Sequence, residues 1–494
     1  MKNTFFKLFI VLFAIANLTS CKKQLETNPK NSLDLTFALN TREGLQATLL
    51  AIYNSMQGSG YYGRDFVVIP ELLADNCEIT VGNSNRFINQ GNNTPNNHVN
   101  IWSGAYSNIN RANVVLSRID ANPSVSALEK QIWKGEAYFL RALLYHDLVR
   151  SYARAPLYPN SGRGGVFDLG VPILTTPIIA ADAIVLPPRK TVSEVYDFIM
   201  QDLLLANSLL LNTGSNYRPR RVAAQALAAR VELYRGNWAQ SERWADSVIL
   251  QNTTPLAPAS TYFNNTTAAP SWGNAHPEQI FGLSYQTGEG NPGTDALQYI
   301  YYRNLTALPV AIQGYADVTT QLSLRNDMGV VANVSTDQRF TRLVSLQTKS
   351  SQLCYFTTKW PGLRVLGQDD VMILRTSEVV LTRGEARANQ GIGKEALAIA
   401  DLNLTRVRAG LTAFPTSGVG APTGAALLAE IAKERRVELA YEGHRLFDML
   451  RTGKDVNKNP SNIIFGSNAY DYLIAGILQS DHDTNPNLVR NPGY

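Results

Sequence analysis

Metal-ligand spacings are missing from this chain. Its five histidines, His98, His146, His276, His444 and His482, stand apart from one another, and no HExxH or CxxC occurs. No metal and no cofactor is therefore expected. Cysteine is sparse: Cys21, Cys77 and Cys354. An oxidising compartment permits a Cys77–Cys354 bridge, and two separate buried thiols satisfy the sequence equally well. GxSxG and Walker patterns are absent too, which removes the commonest nucleophile and phosphate-loop chemistries. Charge is low, at 17% of 494 residues with a net +5, and no basic block forms a nucleic-acid footprint. The polar surface must lean on Asn, Gln, Ser and Thr, which suits neutral polar ligands better than phosphate chains.

Long apolar runs are also missing, with one short exception. Lys2 and Lys7 precede the run Leu8–Ala16, the layout of a secretory signal. Nine residues cannot span a bilayer as a helix, which needs about twenty. The run ends in Leu18-Thr19-Ser20-Cys21, which resembles a bacterial lipobox. Residues 1–20 then read as a lipoprotein signal, Cys21 as the lipidated first residue, and 21–40 as anchor and tether. Acyl chains contribute roughly 0.8 kcal/mol per buried methylene, so several chains on one Cys hold a protein at a membrane. Cleavage removes two lysines and no acid, leaving +3.

Helical periodicity fills two parts of the mature chain, about 41–250 and 372–452. Between them, 252–371 is rich in Gly, Pro, Asn and Thr and reads as loops and short strands. Residues 41–494 are expected to form a single domain. One helical-hairpin design recurs. Arg221–Arg235, packed with Ala223, Ala224, Ala226, Ala228 and Ala229, is broken by Gly236-Asn237, and Trp238 opens the returning helix. Leu374–Gln390 is broken by Gly391-Ile392-Gly393, and Leu397, Ala400, Leu404 and Val407 are expected to line the return. Helix, glycine turn and helix over about 34 residues resembles the tetratricopeptide repeat, which is stable only when several units stack. Helices 126–153 with 191–211, and 41–57 with 99–121, supply the remaining pairs. The fold expected is mainly α, with about four such units and a loop-rich region carrying short strands.

Leu427–Leu450 reads as one helix, with Leu428, Ile431, Arg435, Leu439, Gly443, Leu446 and Leu450 on a single stripe. Glu434 and Glu438 lie one turn apart and invite a glycosidase reading. Arginines within three or four residues of each favour the ionised form, whereas a general acid needs a raised pKa. Structural ion pairs are the better reading, and no enzyme activity is expected.

The stretch Glu434-Arg435-Arg436-Val437-Glu438-Leu439-Ala440-Tyr441-Glu442-Gly443-His444-Arg445-Leu446-Phe447-Asp448-Met449-Leu450-Arg451 resembles the signature of the SusD/RagB family. Arg141–Arg150 with Ala155-Pro156-Leu157, Leu374–Glu378 with Gly384-Glu385-Ala386, and the tail Asn485–Leu488 with Asn491–Tyr494 resemble other family segments. The resemblance covers nearly all of the mature chain and is weak over 252–371. It implies a surface-exposed outer-membrane lipoprotein built on four tetratricopeptide-like units. It also implies that the chain captures a glycan for a SusC-type TonB-dependent porin without hydrolysing it. Some relatives serve peptide uptake instead, so peptide capture on the same scaffold stands as the alternative.

Sugars stack their C–H faces on aromatic rings and pair their hydroxyls with amides, carboxylates or guanidinium groups. Two regions carry that mixture. Gly58–Trp102 holds Tyr61, Tyr62, Asp75, Asn76, Arg86 and eight asparagines between Asn83 and Asn100. Tyr262–Tyr315 holds Trp272, Tyr285, Tyr299, Tyr301, Tyr302 and Tyr315. The candidate ligand contacts are Trp272, Tyr299, Tyr301, Tyr302, Asp75, Asn76, Arg86 and Tyr61. Tyr299 and Tyr301 alternate as in a strand, with Tyr302 on the opposite face. Asp75 and Arg86 either bind hydroxyls or pair with each other. Trp102, Trp238, Trp244 and Trp360 are expected to pack rather than bind.

Overall fold

The computed structural model describes residues 39–179, 184–251, 256–258, 276–285, 292–302, 314–360, 367–458 and 462–494. Cys21 and Trp272 lie outside them. The elements are α1 (Arg42–Met56), α2 (Asp65–Leu73), β1 (Cys77–Ile79), α3 (Ile88–Gly91), α4 (Trp102–Arg118), α5 (Ala127–Tyr152), α6 (Val192–Leu209), α7 (Arg221–Arg235) and α8 (Trp238–Gln251). They continue with β2 (Gln279–Leu283), α9 (Leu297–Tyr301), β3 (Val318–Thr320), α10 (Leu322–Asp327), α11 (Gln338–Leu343), β4 (Val344–Lys349), β5 (Gln352–Thr357) and β6 (Val371–Arg375). The last are α12 (Thr376–Ala388), α13 (Ile392–Arg408), α14 (Gly424–Glu438), α15 (Arg445–Thr452) and α16 (Gln479–Thr484).

Local chemistry sets the helix ends. Ser126 and Glu129 close a capping box at the start of α5, and Thr191 and Glu194 do so for α6. Gly236 ends α7 in the left-handed conformation that glycine adopts without penalty. The buried alanines of α7 admit α8 so closely that the Ser241 hydroxyl donates to the Ala229 carbonyl at 2.9 Å. Helices then pack as four hairpins, α1 with α4, α5 with α6, α7 with α8 and α12 with α13. Each hairpin rests on the next through α4 on α5, α6 on α7 and α8 on α12. The four expected units are all present. Three small antiparallel sheets, β1–β3, β2–β6 and β4–β5, lie outside the stack.

Four local expectations are corrected. Leu374 and Arg375 belong to β6, so the helix begins at Thr376. Tyr299 and Tyr301 sit in the short helix α9 rather than a strand, because a run this short carries no period that separates the two. Leu397, Leu404 and Val407 of α13 are 46%, 45% and 56% exposed. Ala398, Ile399 and Leu402 are the residues that pack, against Leu427 and Ile431 of α14. Two apolar stripes overlap on α13, and only the neighbouring helices choose between them.

The fourth correction concerns the charged segment. It forms two helices, α14 and α15, with a break at 439–444 where Tyr441 and Gly443 take positive φ. Glu71 of α2 fills the break. Its carboxylate accepts the backbone N–H groups of Gly443 at 2.9 Å and of Tyr441 and His444 at 3.1 Å. A carboxylate at the start of α15 satisfies donors that a helix N-terminus leaves free. A Cβ on Gly443 would stand 2.6 Å from the Phe66 carbonyl oxygen. Gly443→Ala therefore combines left-handed strain with a backbone clash and should cost roughly 2–4 kcal/mol. Urea denaturation reads this directly, and a native midpoint would show that the close approach is not needed.

Candidate functional site

The paired carboxylates of the signature helix are not available for chemistry. Glu434 and Glu438 are both buried. Arg339 donates to Glu434 at 2.6 Å and to Glu438 at 3.3 Å, and Arg375 donates to Glu438 at 2.8 Å. Arg408 pairs with Glu438 and Glu278. Burial pushes the Glu438 carboxyl up, but Arg408, Arg375 and Arg339 outweigh it and hold the group well below the usual range. A general acid needs the opposite shift. Among the described residues, no cluster of His, Cys, Asp and Glu is arranged to hold a metal ion. Cys77 and Cys354 are separate buried thiols.

Five of the expected ligand contacts are interior residues, Tyr61, Asp75, Asn76, Tyr299 and Tyr301. The Tyr61 hydroxyl donates to Asp147 at 2.6 Å, beside Tyr62, which does the same at 2.7 Å. Asp75 is buried and held by Arg445 at 2.6 Å and Arg436 at 3.3 Å, not by Arg86. Asn76 is spent between Glu71 at 2.6 Å and Arg436 at 2.8 Å. Tyr301 packs edge-on against Tyr441, with ring centroids 6.0 Å apart. An aromatic or amide in a polar loop looks the same in sequence whether it faces solvent or the core. The arginines that claim these groups lie some 360 or more positions further along the chain.

Arg86 and Tyr299 meet through Tyr315, Tyr299 as a buried ring. The Arg86 guanidinium lies over the Tyr315 ring, 4.2 Å from its centroid, within the usual reach of a cation–π contact. The Tyr315 and Tyr299 rings are 6.1 Å apart. Asp295 bridges two arginines, Arg64 at 2.7 Å and Arg86 at 3.3 Å, the second lying 209 positions away in the chain. Arg86 also donates to the Ser84 hydroxyl at 2.8 Å. Its Nη2 meets no acceptor among the described residues, and the side chain is 30% exposed. Tyr302 follows α9 and is half-buried. Its carbonyl oxygen would stand 2.0 Å from a Cβ at position 314, so glycine is required there for the two segments to meet.

The asparagine run carries the strained turns around Arg86, and the Asn83 side chain donates to the Arg86 carbonyl at 2.9 Å. Asn85, Asn93 and Asn96 take positive φ, which asparagine tolerates better than most residues. Phe87 also sits at φ 58, with its ring under the Arg64 guanidinium. A bulky side chain held there marks an over-determined loop. The two loop regions picked out by composition thus converge on one face, with aromatic rings, a carboxylate and an open guanidinium donor. Sequence reasoning passes over Arg64, Ser84 and Asp295, which no local pattern marks.

Known proteins resemble the chain along most of its length. The family described as starch-binding, associating with the outer membrane, matches residues 23–233, and the SusD family matches residues 349–494. SusD-like protein P38 of Formosa agariphila is 24% identical over 98% of both chains. SusD-like protein P2 of the same organism is 26% identical over 98% of this chain and 99% of its own. A SusD superfamily protein from Bacteroides vulgatus superposes with a TM-score of 0.76 at 24% identity, covering 92% of this chain and 99% of that one. Another, from Bacteroides thetaiotaomicron, gives 0.75 at 24% identity over 93% and 100%. At this identity the structural likeness carries the fold alone.

Proposed function

The chain belongs to the SusD/RagB family, whose members are carbohydrate-binding proteins of outer-membrane nutrient uptake, and on that premise we propose that it captures a glycan on the face built by Arg86 and Tyr315, with the buried Tyr299 ring packed next to Tyr315. The captured glycan passes to a SusC-type TonB-dependent porin, and Cys21 carries the lipid that holds the protein at the cell surface. No helix among the described residues is long and apolar enough to cross a membrane. The mass of the mature N-terminal peptide checks the lipid.

One observation carries the ligand face. Arg86 stacks on Tyr315 while keeping an open donor edge, so ring and guanidinium meet one ligand together. A pyranose offers C–H groups to the ring and hydroxyls to the guanidinium. Family members bind rather than cleave, and the ion pairs that lock the signature carboxylates support capture without hydrolysis.

A glycan array probed with the chain lacking residues 1–21 tests this. Native protein should bind one polysaccharide class. Tyr315→Ala and Arg86→Ala should each weaken binding by about tenfold or more, which corresponds to roughly 1.4 kcal/mol. Trp272→Ala tests the remaining candidate, which lies outside the described residues. Glycan binding that ignores both changes would move the site elsewhere. Silence on glycans together with peptide binding would move the ligand class to peptides.

A further inference from the structure

Tyr315 and Arg86 reach each other from distant segments, and both rest on the same buried ion pair. Lys349, the last residue of β4, is almost fully enclosed. Its ammonium donates to the Tyr315 carbonyl at 2.7 Å, the Ala316 carbonyl at 2.9 Å and the Thr80 hydroxyl at 3.0 Å. Asp317 stands 3.8 Å from the same nitrogen and is completely buried. Asp317 in turn accepts the Ser84 backbone N–H at 2.9 Å and the Ser84 hydroxyl. Ser84 then accepts from Arg86 at 2.8 Å. A chain of contacts thus runs from Lys349 to both halves of the ligand face.

The backbone it holds is strained. Ala316 has φ 48, a conformation an alanine avoids unless its surroundings impose it. Two successive carbonyls pointing at one ammonium impose it. An ammonium suits the task because it carries three donors on a flexible stem and can meet three converging oxygens. The hairpin that delivers Lys349 turns through Ser350 and Ser351, both at positive φ. Gly82 lies so close to Ser350 that a Cβ there would meet the Ser350 hydroxyl. The β4–β5 hairpin is thus held against the Thr80–Ser84 and Tyr315–Asp317 segments at both its strand end and its tip.

We propose that Lys349 is the positioning residue of the ligand face, its ammonium fixing the backbone at Tyr315–Ala316 and, through Asp317 and Ser84, the arm that carries Arg86. The inference rests on the reading of this face as the glycan site. Removing the ammonium takes a donor from three oxygens, of which the Ala316 carbonyl keeps only the Thr80 hydroxyl at 2.9 Å, and leaves a buried carboxylate without its cation, so the two halves of the face lose their common register.

The test is Lys349→Met in the chain lacking residues 1–21, with Ile399→Val in the fourth hairpin as a distant control for lost stability. Two quantities are read at a temperature where both variants are folded: amide hydrogen exchange at Ser84 and Thr80, and affinity for soluble starch, laminarin and arabinoxylan by titration calorimetry. Lys349→Met should speed exchange at Ser84 at least tenfold and weaken the bound polysaccharide at least tenfold. Ile399→Val should change neither. Native exchange at Ser84 in Lys349→Met overturns the proposal, as does native affinity with faster exchange. Should native protein bind none of the three polysaccharides, the glycan reading fails separately. A crystal structure of Lys349→Met then decides, and an undisturbed Arg86–Tyr315 stack overturns the role of Lys349.

Discussion

Replacing Arg375 by methionine should destabilise the protein by about 3–5 kcal/mol, the range for breaking a buried pair while its partners stay behind. Arg375 is 2% exposed. Its guanidinium donates to Glu442 at 2.7 and 2.8 Å, to Glu438 at 2.8 Å and to Glu278 at 3.1 Å. These carboxylates come from two regions of the chain: Glu278 just before β2, and Glu438 at the end of α14 with Glu442 inside the break that follows it. Methionine fills the volume of the stem and leaves all three acids short of a cation. Adding Glu442→Gln to Arg375→Met should recover part of the loss, because it removes one uncompensated charge. Urea denaturation of the single and double variants measures the coupling. A loss below about 1 kcal/mol would mean that Arg408 and Lys359 suffice to neutralise the cluster. The exposed pair Lys190–Glu194 is the control, and Lys190→Met, which leaves the Glu194 cap intact, should barely move the midpoint.

Stability should fall steeply as pH drops below about 6, and three histidines set the onset. Burial holds the His98 imidazole down to about 4 and that of His444 down to about 3. His146 is held well below its ordinary value by burial and then by Arg150 and Arg230. Each is neutral in the fold and takes a proton when unfolded below about 6.5. The unfolded state therefore binds more protons than the folded state through that window, and stability declines with acidity. The limiting slope is about 1.4 kcal/mol per pH unit for each histidine. Burial pushes the Glu378 carboxyl up, but Arg230, His444 and Arg435 bring it to about 2. Its contribution, present above about 4.5, is lost as pH falls toward 2. Glu71, Glu136 and Asp202 are raised by burial and oppose this trend once they begin to protonate.

His146→Phe isolates one of the three. Both ring nitrogens of His146 lack a hydrogen-bond partner, and its ring meets Tyr234 and Tyr196 edge-on. Phenylalanine keeps those contacts and cannot be protonated. Relative to native protein, the variant should gain about 2 kcal/mol on going from pH 8 to pH 5. Urea midpoints at the two pH values check this, and parallel pH profiles for the two proteins would show that His146 is not the group at work.

Much of the fold is legible in the chain because helical order is local. Gly236 and the alanines around Ala226 announce a tight hairpin, and four such units follow from repetition. The break at 439–444 is not legible, because Gly443 suits a close helix crossing as well as a turn. The turn is chosen by Glu71, a residue with no sequence pattern connecting it to that segment. The candidate face divides in the same way. Arg86 reaches it, while Tyr61, Asp75, Asn76, Tyr299 and Tyr301 are buried, four of them held by Asp147, Arg436, Arg445 and Tyr441.

The sequence by itself determined the helical-hairpin scaffold, the low charge, the absence of metal and nucleophile motifs, and the ionic character of the signature helix. These depend on residue type and spacing within a few turns, where hydrogen bonding and amphipathic burial act. Only the tertiary structure decided which arginine meets which acid, which stripe of α13 is covered, and which aromatic residues stay at the surface. Those outcomes depend on partners scores to hundreds of positions away, and a buried charge takes whichever counter-charge the packing of the helices brings within reach.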